Sequence, residues 1–446
     1  MAAVQAMPSN RIAEPAMTPT QWLIVGLCIL LNMVDGMDVL VLSYTAPLIA
    51  SEWHLPPDAV GWLFSVGLLG MMAGCLALAP QADRFGRKPV LLASLLLNVL
   101  GLVTAATAGS VSQLLLARCV TGLGVGGILP VIAAIAMEFS SENRRNLNVG
   151  FVQAGWPVGA LLTAWVASHA IGTIGWRGLF GGIAAASVLM LMLVAICMPE
   201  SIELLERRRP ADALERINRT LRTLRKAPLV QLPPAHAHAT QEGWAIARLL
   251  SPRHIGATWR LWVGTFFAFV TLYTLISWVP SFARSAGVGL EAAIHAGAML
   301  NLGALAGTCA IGVVSRWIGL RRFTLAALTL AIVFMLVFSQ SSIGGAFGLP
   351  LIFLIGATVQ GGFNSYYPLA TRVYPPELRA SGVGYAMGIG RAGAVAGPLI
   401  AGYLLAAGVP MARLFIVFSA PLLVSALAAY SIRPTAPDRQ AKPVAR

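Results

Sequence analysis

Asp35 and Asp38 stand three residues apart inside an otherwise apolar run from Gln21 to Ala50. An ionised carboxylate at the centre of a bilayer costs roughly 2.5–3.5 kcal/mol on insertion scales. Retaining two of them calls for compensation by a proton, a buried cation or a water-filled path. Arg118 offers a cation, since it lies about seven residues, or roughly 10 Å, inside the run that begins near Val111. Counted by helical rise, Asp35 falls close to mid-membrane, Asp38 about 5 Å further out, and Arg118 slightly outside the midplane as well. Asp38–Arg118 is therefore the expected ion pair, and Asp35 the expected reversible proton site. A further cation, Arg391, lies about ten residues into a later apolar run, again close to the midplane. A guanidinium at that depth suits two-pronged binding of a carboxylate; the alternative is a fixed structural pair with a carboxylate in the other half. Together these residues imply that something polar moves through, or binds inside, a membrane protein.

The elements that hold them must be membrane-spanning. Hydrophobic residues are 57% of the 446-residue chain and charged residues only 11%, where soluble domains average about 25% charged. The net charge of +14 first suggests nucleic acid, but its placement argues against that. Most of the Lys and Arg fall in alternate loops and the tails, which is the positive-inside pattern of membrane topology. Cys28, Cys75, Cys119, Cys197 and Cys309 all fall within apolar spans. They read as small core residues, with neither a disulfide framework nor metal-ligand spacing. His236 and His238 have no third ligand nearby. No metal or cofactor is expected, and no nucleophile–base constellation suggests an enzyme. No cleavable signal is expected either, because the first apolar run is too long and follows a polar tail of about 20 residues.

Runs this long satisfy their backbone only as helices in lipid, at about 20 apolar residues per crossing. Twelve spans are predicted, near 21–49, 57–79, 89–109, 111–137, 146–169, 177–198, 258–282, 291–315, 322–340, 346–370, 381–406 and 411–431. The expected fold is an all-α membrane protein. A six-helix bundle covers residues 1–198, a cytoplasmic linker 199–257 and a second six-helix bundle 258–446. The linker carries a basic run from Arg207 to Lys226, expected to be mobile and close to anionic lipid. The charge map puts both termini in the cytoplasm and the chain in the inner membrane, as a multi-pass protein. After span two comes Ala82–Leu92 (ADRFGRKPVLL), and six spans later comes a degenerate counterpart, Gly312–Leu325 (GVVSRWIGLRRFTL). Gly319 matches Gly86, and Arg321-Arg322 match Arg87-Lys88. Such repeats suggest two halves with a transport site at their interface.

Asp83-Arg84-Phe85-Gly86-Arg87-Lys88 resembles the loop signature of the major facilitator superfamily, with Ala79 where that signature has its first glycine. In the second copy Arg316 and Trp317 occupy the Asp and Arg places. Gly86 permits a tight turn, and Asp83, Arg84 and Arg87 read as a charge cluster that holds one arrangement of the halves and releases it in another. Glu138, at the inner end of span four, is expected to join this cluster. Arg118 followed by Gly122, Gly124, Gly126 and Gly127 resembles a second motif of the superfamily, one tied to proton coupling. Its glycines let another helix approach.

Asp35-Gly36-Met37-Asp38 resembles the signature of the aromatic acid:proton symporters within that superfamily. The stretch from Tyr374 to Gly384, continuing through Arg391 to Gly397-Pro398, is similar to the same family's loop and eleventh helix. The resemblance implies proton-coupled uptake of a benzoate-like acid by alternating access. It implies roles for Asp35, Asp38, Arg118, Glu138, Arg379 and Arg391, with Arg379 as a gate or loop anchor at the cytoplasmic entrance. An aromatic acid also needs an apolar slot, for which Tyr44, Trp156, Phe266, Phe269, Tyr273 and Tyr366 are candidates. Asn32, Gln153, Asn301 and Asn364 are candidates for a ring hydroxyl or second polar group. Of these, Tyr44, Gln153, Trp156 and Asn364 are expected beside Arg391. Trp156-Pro157 stands where exporters of the superfamily often carry Gly-Pro, which favours uptake. The rival expectations are a symporter for a dicarboxylate or sugar acid, and a proton-driven efflux pump. The partners expected are a small organic anion, protons and membrane lipid, without nucleic acid, for a chain acting as a monomer.

Overall fold

Thr18 opens the first spanning helix. Its hydroxyl accepts a hydrogen bond from the Gln21 amide at 3.3 Å, and the Gln21 side chain accepts one from the Thr18 N–H at 2.9 Å. This reciprocal cap satisfies donors that a helix start leaves bare, and Pro19 sits in the first turn, where its missing N–H costs nothing. The computed structural model describes residues 17–141, 144–210, 212–223, 228–232, 242–340, 348–374 and 376–432. The first six helices are α1 (Pro19–Trp53), α2 (Pro57–Ala77), α3 (Gln81–Phe85), α4 (Arg87–Ala106), α5 (Val111–Phe139) and α6 (Arg145–Cys197). The short helices α7 (Ile202–Arg208), α8 (Ala213–Thr223) and α9 (Glu242–Leu249) follow. Then come α10 (Ile255–Ser285), α11 (Leu290–Ile318), α12 (Leu320–Ser339), α13 (Gly348–Asn364), α14 (Tyr366–Val373), α15 (Pro376–Ala406) and α16 (Met411–Ser431).

Among the described residues, ten helices are long and apolar enough to cross a membrane. Two local breaks account for the difference from twelve. The 53-residue α6 holds two crossings joined at Gly175, whose φ of 65° and ψ of −177° turn the chain out of helical geometry. The tenth crossing is divided, because α13 is 17 residues long and stops before Ser365, after which α14 resumes with Pro368 in its first turn.

The stretch expected as a loose polar linker differs more. Its described part carries α7, α8 and α9. Ile217 and Leu221 lie four apart on one face of α8 and bury against Leu205. Asn218 fixes the return of the chain: its amide donates to the Leu229 carbonyl at 2.9 Å and accepts from the Leu229 N–H at 2.7 Å. His236 and His238 lie outside the described residues.

Helix pairs that carry the site approach closely. Gly36, between the two aspartates, lies so near the Trp156 carbonyl that a methyl group there would collide with it. Close approach of this kind is how membrane helices gain packing without a hydrophobic driving force. It locks α1 on α6 and fixes Asp35 and Trp156 relative to each other. Gly86 and Gly319 end α3 and α11 with φ of 117° and 84° and nearly equal ψ of 148° and 147°. The two repeat copies thus make the same turn, in a region open to glycine.

Candidate functional site

The helices of the first and second halves meet along two different kinds of surface. At the end of the bundle where α1 finishes and α2 begins, polar groups join them. Ser43 Oγ lies 2.7 Å from the Ile276 carbonyl and 2.9 Å from the Ser277 carbonyl, and its single proton serves both. Ser65 Oγ donates to the Val395 carbonyl at 2.8 Å, and Trp62 Nε1 donates to the Tyr403 hydroxyl at 3.2 Å. Phe64 meets Trp278 edge to face at 5.4 Å. Deeper in the bundle the halves separate around a cavity of about 390 Å³. The first half contributes Asn32 and Asp35 of α1, Leu129 of α5 and Gln153, Trp156 and Pro157 of α6. The second half contributes α10, α11, α13, α14 and Arg391 of α15.

One wall is aromatic. Tyr273 stacks on Phe269 at 5.6 Å, Phe269 meets Phe363 edge-on at 4.6 Å, and Phe363 meets Tyr367 edge-on at 6.1 Å. This continuous surface across α10, α13 and α14 suits a flat ring, since aromatic pairs favour offset and edge-to-face contacts. Arg391 lines the same space and makes no hydrogen bond or ion pair among the described residues. Among the described residues it is also the one basic side chain in the lining. Asp35 lines the cavity too, 4% exposed, and its Oδ1 has no partner. Asp35 and Arg391 are close enough to feel each other's charge.

Asp38 and Arg118 are not in this lining and pair with one another. Arg118 donates to Asp38 Oδ1 at 2.6 Å, with side-chain exposures of 6% and 2%. Gly67 of α2 makes room, for a Cβ there would approach the Arg118 guanidinium. Breaking a buried pair by removing one member costs roughly 3–5 kcal/mol, because the other charge is left stranded. Asp38→Ala is therefore expected to lower the melting temperature of the detergent-purified protein sharply, and Asp38→Ala/Arg118→Ala to recover part of the loss. A single variant as stable as the parent would remove this structural role.

A second charged cluster lies at the other end of the bundle. Arg87 pairs with Glu138, which also accepts from the Ser201 hydroxyl at 2.9 Å and the Ile202 N–H at 2.8 Å. Glu138 thus caps the first turn of α7 with a negative charge, where the helix dipole favours one. Arg208 of α7 donates to the Arg84 carbonyl, while the Arg84 guanidinium lies 5.3 Å from the Phe85 ring. The side chains of Asp83 and Arg379 lie outside the described residues.

Of the residues expected at the site, Asp35, Gln153, Trp156, Asn364 and Arg391 line one cavity. Tyr44 is not in its lining. It is fully buried against Gly297, with its hydroxyl 3.5 Å from the Ala160 carbonyl. Tyr366 is also elsewhere, donating to the Ser425 carbonyl at 2.6 Å, and its neighbour Tyr367 faces the cavity instead. Thr308, Gln360 and Phe363 line the site without having been singled out. Gln360 and Asn364, four residues apart in an apolar run, carried a readable signal of one polar helix face. Thr308 and Phe363 carried none, being ordinary in spanning helices.

The Major Facilitator Superfamily model matches residues 28–388 of this chain. The 4-hydroxybenzoate transporter PcaK of Pseudomonas aeruginosa is 31% identical over 401 residues, covering 89% of this chain and 88% of its own. The benzoate transport protein of Acinetobacter baylyi is 24% identical over 439 residues, covering 95% and 92%. The gallate transporter of Pseudomonas putida is 29% identical over 430 residues, covering 92% and 91%. Among solved structures, the inward-open xylose transporter XylE from E. coli superposes with a TM-score of 0.71 at 17% identity, covering 94% of this chain and 98% of that one. At that identity the likeness concerns the fold alone.

Proposed function

The chain belongs to the major facilitator superfamily, within its aromatic acid:proton symporters, and on that footing we propose that it takes up aromatic carboxylates together with protons by alternating access. The observation that carries this reading is Arg391, a cation with no hydrogen bond or ion pair among the described residues, in a cavity that also has an aromatic wall. A guanidinium left unpaired in a partly dehydrated space is stabilised by an anion that enters, and its fork geometry favours a carboxylate. The relatives are named for 4-hydroxybenzoate, benzoate and gallate, all aromatic acids. A dicarboxylate would want a second cation, and among the described residues no other basic side chain lines the cavity.

In this reading Asp35 binds the proton. While ionised, it repels an incoming carboxylate and shares the field of Arg391; once protonated, it leaves Arg391 to the substrate. Asp38–Arg118 holds α1 on α5 beside it. The Ser43, Ser65 and Trp62 contacts form the outer seal, and Arg87, Glu138 and α7 form a cytoplasmic latch on the first half. Both termini then face the cytoplasm, in the bacterial inner membrane. One anion with one proton moves no net charge. Each additional proton would add membrane potential as a driving force, about 2.3 kcal/mol per charge per 100 mV.

Proteoliposomes holding the full chain, loaded at alkaline pH and diluted into acidic buffer, are expected to accumulate radiolabelled benzoate above its equilibrium level. A protonophore should collapse the gradient, and unlabelled aromatic acids should compete far better than succinate. Export of benzoate under the same gradient, or equal competition by succinate, would overturn the proposal.

A further inference from the structure

Three polar side chains in the cavity wall form a hydrogen-bonded row whose direction is fixed by the chemistry of its last member. Thr308 Oγ1 lies 2.8 Å from the Ala304 carbonyl. A carbonyl cannot donate, so the one hydroxyl proton of Thr308 points there, and Thr308 can only accept from its other neighbour. That neighbour is Asn364, at 2.8 Å, which must therefore present its NH₂ group to Thr308. The Asn364 carbonyl oxygen is then the atom facing Gln360, so Gln360 must donate through its own NH₂, at 3.3 Å. The amide orientations follow from the row itself, which matters because amide oxygen and nitrogen are otherwise hard to tell apart. What remains at the free end is the Gln360 carbonyl oxygen. Oε1 is screened from solvent and has no hydrogen-bond partner. All three residues line the cavity that holds Arg391.

A buried acceptor without a donor is costly, and the hydrogen bonds that build this row all run away from Gln360 Oε1, toward Thr308 and the Ala304 carbonyl. We infer that Gln360 reads a hydroxyl group on the substrate ring, so that the preferred cargo is a hydroxylated aromatic acid. Its carboxylate sits on Arg391, and its phenolic hydroxyl donates to Gln360 Oε1 after a small turn of the amide about its terminal bond, where the torsional preference is broad. An acceptor-only substituent of similar size, such as a methoxy group, meets the same oxygen lone pair to lone pair. Selectivity is then set by what the ring can donate. Thr308 is a positioning residue, since it polarises the row without reaching the ligand. The inference rests on the aromatic-acid reading above and refines it.

The test is equilibrium binding to the full-length protein in nanodiscs, with benzoate, 4-hydroxybenzoate and 4-methoxybenzoate as probes. The parent protein should prefer 4-hydroxybenzoate over 4-methoxybenzoate on the order of tenfold, as one hydrogen bond to a buried acceptor allows. Gln360→Met, close in shape but lacking the acceptor, should erase that ratio, whatever change in affinity all three acids share. Gln360→Glu should keep the preference. Thr308→Val removes the acceptor that orients Asn364, so the row can reverse, and the ratio should fall toward one. If benzoate binds and the ratio survives in both Gln360→Met and Thr308→Val, the hydroxyl-reading role is wrong while the aromatic-acid reading stands. If the parent binds none of the three acids, both are wrong.

Discussion

Arg391→Ala is expected to bind aromatic carboxylates more weakly than the parent by on the order of a hundredfold. The expectation comes from the absence of any substitute: among the described residues no other basic side chain lines the cavity. Truncating one partner of a buried, hydrogen-bonded charge pair typically costs roughly 2–5 kcal/mol, and every 1.4 kcal/mol is about tenfold in affinity. Arg391→Lys keeps the charge but presents it as a point on a flexible stem, so it loses the second prong and should fall by about tenfold. Stability should move the other way. Arg391 makes no hydrogen bond or ion pair among the described residues, so its removal breaks no direct contact and relieves the cost of holding a guanidinium in the bilayer interior, which outweighs the field it shares with Asp35. Arg391→Ala is thus expected to melt no lower than the parent while losing its ligand, the pattern of a residue kept for function at a cost in stability. Radioligand binding and thermal unfolding of the same preparations check both halves. Parent-like affinity in both variants would refute the carboxylate role.

The contrast between Arg391 and Arg118 shows how far the sequence could be read. Both are arginines near mid-membrane, and depth by helical rise separated neither from the other. Depth could still pair Arg118 with Asp38, because both positions are counted along straight helices from nearby ends. That counting works wherever a helix is regular. It gives depth but not facing, as around Ser365, between α13 and α14, where the backbone stays helical with φ of −63° and ψ of −22°. Neighbours in a helix point about 100° apart, and Tyr367 faces the cavity while Tyr366 turns into the packing. Composition alone could not distinguish two adjacent tyrosines. Tyr44 fails for a different reason. It lies six residues beyond Asp38, in the part of α1 that meets the second half at the outer seal, where Ser43 makes its contacts. A residue can share a helix with the site and belong to the gate. The linker was underestimated because its apolar residues are few. Three of them, Leu205 of α7 and Ile217 and Leu221 of α8, come from two helices, and only the fold brings them into one cluster. Direction in the Thr308–Asn364–Gln360 row was equally hidden, since it depends on which carbonyl Thr308 reaches.

Asp35→Asn is the most decisive single change for the coupling scheme, because it should separate binding from pumping. The amide is close to the protonated carboxyl in size and carries no charge, so the variant mimics the loaded state permanently. It should still bind benzoate, through Arg391, and with an affinity that no longer changes from mildly acidic to mildly alkaline buffer. In the parent, binding should strengthen toward acid, because protonating Asp35 removes the negative charge that competes with the substrate for Arg391. The variant should also exchange labelled for unlabelled benzoate across the membrane, since that needs only the loaded carrier to rock between its two openings. Accumulation against a gradient should be lost, for with no proton bound and released at this position the proton gradient exerts no pull on the cycle. Asp38→Asn makes the control. It touches the Arg118 pair, so its main expected effect is on folding stability, while the pH dependence of whatever protein folds should remain. Proteoliposome uptake with and without a pH step, set beside exchange under equal pH, measures all of this in one preparation. Uphill accumulation at the parent's level in Asp35→Asn would show that the driving proton binds elsewhere.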